Sequence, residues 1–72
     1  MILLRIHHIH AAGYCSRGAR AWAARHNVNY TQFILHGIPV ERIEAFGDAF
    51  CIAVCKVARE EHAAKQQEVN NG

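Results

Sequence analysis

No aspartate or glutamate occurs in the first forty residues. Arg5, Arg17, Arg20 and Arg25 therefore stand without a local counter-charge. All six acids fall in residues 41–72, against the four cations Arg42, Lys56, Arg59 and Lys65, a balance of −2. A half-chain of one sign points to an anionic partner, either nucleic acid or an acidic protein face. Long apolar runs are also missing. Nothing approaches the roughly 18 residues of a membrane span, and MILLRIHHIH lacks the apolar segment and cleavage site of a secretory signal. Cysteines number three, an odd count, and Cys51 and Cys55 lie four apart. That is poor material for a disulfide framework, so a reducing cytoplasm is expected. No catalytic or cofactor signature is present, and no internal repeat.

What is present is a folding composition, 51% hydrophobic and 19% charged, in 72 residues. A chain of that size makes one domain at most, near the limit where a single core needs help from a metal, a disulfide or a partner. Most large aliphatic side chains beyond the first nine residues lie in Phe33–Ala58. This stretch reads as a short helix, a glycine turn, a second short helix, another glycine and one long apolar helix.

Alternation over residues 2–9 puts Ile2, Leu4 and Ile6 on one face of a strand. It is the one strand expected, so its edges need a partner, and pairing with a second copy of the chain is the economical solution. Ala11–His26 reads as the first helix, with Cys15, Ala19, Trp22 and His26 on one face and Arg17 and Arg20 opposite. Gly18 there is either a place of close helix approach or a simple helix defect. Asn27 is the expected stop. Asn29 caps a second helix, with Gln32 completing a variant capping box, and Gly37 ends it. A third helix follows from Pro39 to Phe46, closed by Gly47. Asp48 caps the fourth, which runs to Lys65. The apolar side chains of this last helix span an arc of roughly 200°, with Ile52 beyond it. Such an arc implies a helix central to the fold or shared with a second subunit. The expected architecture is all-α, about four helices with a short N-terminal strand or extended arm. It forms a single helical domain over 1–66 and a flexible tail over 67–72. Ile2, Leu4, Ile6 and Ile52 are the expected dimer contacts.

Four functional patterns can be weighed. Phe33–Phe46 has the apolar spacing of a helix-turn-helix around Gly37. But Phe33 stands where a small residue is usual, and Glu41 and Glu44 would repel phosphate. The order strand, helix, helix also fits a ribbon-helix-helix with Arg5 and His7 outward, yet Leu3 shares that face where polar readers are needed. His7, His8, His10, Cys15, Cys51 and Cys55 are the residues able to supply zinc ligands, but a single C-x3-C with a loose histidine tract is not a recognised spacing. Cysteines among Phe, Ala and Val pack as small hydrophobes. Cys15 as a nucleophile lacks an orienting group and an oxyanion hole. No enzyme activity, metal or cofactor is expected.

Cys15-Ser16-Arg17-Gly18-Ala19-Arg20, then Trp22, Phe33, Gly37-Ile38 and Gly47-Asp48-Ala49 resemble a group of small proteins encoded in tailed phages and prophages of proteobacteria. The resemblance covers roughly residues 5–58. That group has no assigned activity, so it implies an origin and two roles. One is a small virion or assembly part; the other is a factor that binds and redirects a host protein. With the positive charge on the first helix and not on the third, the expected function is a non-enzymatic protein-binding module. Its contact residues are Arg5, Arg17, Arg20 and Arg25, its partner a protein with an acidic face. A small DNA-binding regulator is the alternative.

Overall fold

The computed structural model describes residues 1–71, with side chains described to Gln66; the tail expected over 67–72 lies outside the residues whose side chains are described. The chain is mostly helical, with a short two-stranded sheet near its start. In order come β1 (Leu3–Leu4), α1 (Ile6–Ala11), α2 (Ser16–Arg25), α3 (Tyr30–His36), β2 (Ile38–Pro39), α4 (Val40–Glu44) and α5 (Ala49–Asn71).

The expected strand is shorter than its alternation suggested. Ile6 and Ile9 are also three apart, so the same residues satisfy a helix face. The backbone switches at Arg5, whose N–H donates to His8 Nδ1 at 2.9 Å, a cap that turns the chain into α1. A left-handed Gly13, at φ +94°, lies in the turn beyond α1, and α2 begins at Ser16. The single first helix expected over Ala11–His26 is thus preceded by a separate short one, which raises the helix count to five among the described residues.

The strand finds its partner inside the chain. β1 pairs antiparallel with β2, Leu3 opposite Pro39 and Leu4 opposite Ile38. Proline has no N–H to give a ladder, and the pairing is continued by Val40, whose N–H donates to the Ile2 carbonyl at 3.0 Å. This corrects the expectation of a lone strand needing a second copy. Leu4 is corrected as a dimer contact as well. It is fully buried in its own core and has no surface to offer.

The core joins Leu4, Ile9, Trp22, Phe33, Val40, Ile43 and Val54 with Cys51, Cys55 and Ala58. Helix α5 runs through its middle and touches α1, α4 and β1. Of its wide apolar arc, Cys51, Val54, Cys55 and Ala58 are buried within the chain, while Phe50, Ala53 and Val57 stay half-buried. Trp22 donates its indole N–H to Cys51 Sγ at 3.2 Å, which satisfies the one polar atom of the largest core side chain. Among the described residues, Ile52 is the large aliphatic side chain of α5 that stands clear, 61% exposed.

The caps follow their local signals. Asn29 Oδ1 accepts the Gln32 N–H at 3.0 Å, and Asp48 Oδ1 accepts that of Cys51 at 2.8 Å. Asn27 takes φ +55° after α2. Gly18 resolves to a helix defect, since a Cβ added there meets nothing within 4 Å. Gly18→Ala is expected to raise stability by about 1 kcal/mol in urea denaturation. A loss in that experiment would mean that something needs the bare backbone.

Candidate functional site

The basic surface starts from the local sequence of α2. Its inner side is set by Ala19, Trp22 and Ala23, all buried, and that leaves Arg17, Arg20 and Arg25 on exposed positions. Arg17 and Arg20 are three apart and therefore neighbours on the helix surface. Arg20 lies over the Tyr30 ring, its guanidinium carbon 5.4 Å from the centroid, which ties the basic face to α3. Tyr30 and Ile34 are four apart on α3, so an aromatic and an aliphatic side chain continue the same surface. Beside them Leu35 is 59% exposed. Arg25 sits in the last turn of α2, where its charge suits the carbonyl end of the helix.

Arg5 belongs elsewhere. It is half-buried at the start of α1, and its stem crosses Gly37, with Cδ only 2.8 Å from where a Cβ on that glycine would stand. Its packing is set by β1 and the Gly37 turn rather than by α2.

Three of the acids, Glu44, Asp48 and Glu61, are engaged with other cations. Glu44 makes a forked pair with Arg59, at 2.8 and 2.7 Å. Asp48 takes His26 Nε2 at 2.8 Å. Glu61 meets His7 at 3.0 Å, His8 at 3.4 Å and Lys65 at 3.1 Å. Hydrogen bonds from His7 and Lys65 hold the Glu61 carboxyl down at about 2. The Cys51 thiol and N–H, with His26 after them, do the same for Asp48, also to about 2. Among the described residues, Arg17, Arg20 and Arg25 enter none of these ion pairs.

Two groups of side chains bring three metal-type donors within 4.8 Å: His7, His8 and Glu61, and His26, Asp48 and Cys51. In the first, His8 Nδ1 already accepts the Arg5 N–H, so the neutral ring carries its proton on Nε2, the atom facing Glu61. A metal-bound histidine has the reverse arrangement, donating from its far nitrogen. Burial, then the neighbouring His7, also pushes His8 below the usual histidine range. In the second, Asp48 is occupied as a helix cap and burial pushes the Cys51 thiol up to about 11, far from the thiolate a metal needs. The structure also separates the residues of the sequence-level zinc reading. Cys51 faces Trp22 and Cys55 faces the Val40 carbonyl at 3.6 Å, while His7 and His8 face Glu61.

Cys15 is the exposed cysteine, at the cap position of α2. The Gly18 N–H, followed by that of Arg17, lowers its thiol from the ordinary range. The residues the sequence reading missed are Glu61, Tyr30 and Ile34. Only the i, i+4 spacing of Tyr30 and Ile34 was available to find them, and nothing local linked Glu61 to His7.

Comparison with protein-family models, curated proteins and solved structures gives no match for this chain.

Proposed function

We propose that the protein is a small non-enzymatic binding module whose partner is a protein with an acidic face, as expected of a phage factor that redirects a host protein or serves as a small virion part. The observation carrying this reading is the unneutralised pair Arg17 and Arg20, exposed on α2 while Glu44, Asp48 and Glu61 pair with other cations. Arginine forks onto carboxylates and is enriched at interface hot spots. The adjoining Tyr30 and Ile34 add the apolar contact such an anchor needs.

A DNA-binding role has less support. Helix α4, the would-be reader, has only five residues. It buries Val40 and Ile43 and turns Glu41 to solvent. No helix among the described residues is long and apolar enough to cross a membrane. Homodimerisation keeps Ile52, with half-buried Ile2 and Ile6, as its support, since the strand and the buried stripe of α5 are occupied within the chain.

The test is the double reversal Arg17→Glu, Arg20→Glu. Stability should change by no more than about 1 kcal/mol, because exposed charges contribute little. Binding to the partner recovered by wild-type bait from a bacterial lysate should be lost, and in the wild type it should weaken at high salt. Retained binding would place recognition elsewhere. Equal loss of affinity for random duplex DNA, with no protein recovered, would favour the regulator.

A further inference from the structure

Away from the arginines of α2, the loop after that helix, the α3 side chains Gln32, Phe33 and His36, and the end of α4 enclose an open cleft of about 370 Å³. That volume is at the small end of ligand pockets, about 300–1,000 Å³. It is large enough for a single ring with a substituent.

The lining is selective in charge. It includes Arg42, His26 and His36, and no carboxylate. Arg42 is exposed and enters no ion pair among the described residues. Its neighbour Glu44 is bound to Arg59. One wall is aromatic: His26 stacks on Phe46 with centroids 4.2 Å apart and planes 20° from parallel. Asp48 holds His26 Nε2 at 2.8 Å, which fixes that ring and consumes its donor, so His26 serves the cleft as a surface. Phe33 lies behind the floor of the cleft, only 1% exposed. The site thus combines one free forked cation with one aromatic wall, the His26–Phe46 stack.

We propose that this cleft binds a carboxylate carried on a flat ring. The Arg42 guanidinium takes the acid in a forked, charge-assisted pair, and the His26–Phe46 stack receives the ring. Gln32 and His36 supply further polar atoms at the rim. The site is separate from the α2 surface, and its occupancy does not depend on Arg17 or Arg20.

Titration of the full chain with phenylacetate, followed by 1H–15N spectra, tests this. Saturating shifts are expected at Gln32, His36, Arg42 and Phe46, with a Kd on the order of 1 mM for so few ligand atoms. Phenylacetamide, which keeps shape and loses charge, should bind at least about tenfold more weakly. Arg42→Gln should cost the acid a similar factor while keeping a folded, dispersed spectrum. The Arg17→Glu, Arg20→Glu protein should bind phenylacetate as the wild type does, so failure of either proposal is read separately. Equal binding of acid and amide, wild-type affinity in Arg42→Gln, or shifts confined to other residues would overturn it.

Discussion

Gly37→Ala is expected to destabilise the protein by about 2–4 kcal/mol, a large part of what a domain of this size has to lose. Two costs combine. Gly37 holds φ 74° and ψ 174° at the end of α3, a combination that belongs almost solely to glycine. An added Cβ would also lie 2.8 Å from Arg5 Cδ, 3.1 Å from the Leu4 carbonyl oxygen and 3.2 Å from Leu3 Cβ. The arginine can swing aside. The Leu4 carbonyl cannot, because β1 is pinned by its pairing with β2 and by the fully buried Leu4 side chain. The turn from α3 into β2 and the docking of the N-terminal arm are therefore one structural unit, and a single methyl group separates them. Gly47→Ala is the internal control. Gly47 also has positive φ, at 78°, but nothing stands within 4 Å of its added Cβ. It should lose only the backbone part. Urea denaturation of both variants decides the matter, and equal losses would remove the packing role assigned to Gly37.

The second large effect is chemical. Iodoacetamide near neutral pH should label Cys15 in the folded protein at least about a hundredfold faster than Cys51 or Cys55. The thiolate is the reactive species, and Cys15 is exposed with its thiol lowered by the N–H groups of Gly18 and Arg17. Burial first, and then Asp48, pushes Cys51 up to about 11; burial and the Glu44 charge do the same for Cys55. Cys15→Ser should abolish the fast phase, and denaturant should bring Cys51 and Cys55 close to the rate of a free thiol. Rapid labelling of Cys51 in the native state would mean that the Trp22–Cys51 contact opens readily. Oligomeric state must accordingly be measured under reducing conditions, where a Cys15 crosslink cannot pass for a dimer built on Ile52.

The all-α class and the segmentation after residue 26 were legible because their signals are local. A cap spans three residues, so Asn29 with Gln32 and Asp48 with Cys51 carry their hydrogen bonds on the face of the sequence. Gly37, Gly47 and Asn27 mark positive φ by residue type alone. The exposed arginines of α2 followed from the periodicity that buries Ala19 and Trp22.

Residues 2–9 were ambiguous for a physical reason. Ile and Leu at this spacing satisfy both a strand and a short helix, and the choice rests on Arg5 meeting His8 and on β2 arriving from a distant part of the chain. No pattern in Ile38-Pro39 announces a strand, because two residues pair only where another backbone is already held in place. The contact of His7 with Glu61 bridges 54 residues, and Arg5 rests on Gly37; neither leaves a local trace. Sequence alone therefore determined the helices that follow Cys15, the caps at Asn29 and Asp48 and the one-sided charge, all set by interactions within a turn or two. Tertiary structure decided which apolar faces meet inside the chain, which acids are already paired, and where a cleft opens beside Arg42. Those depend on long-range packing, in which the same side chains have several acceptable neighbours until the backbone brings one of them within reach.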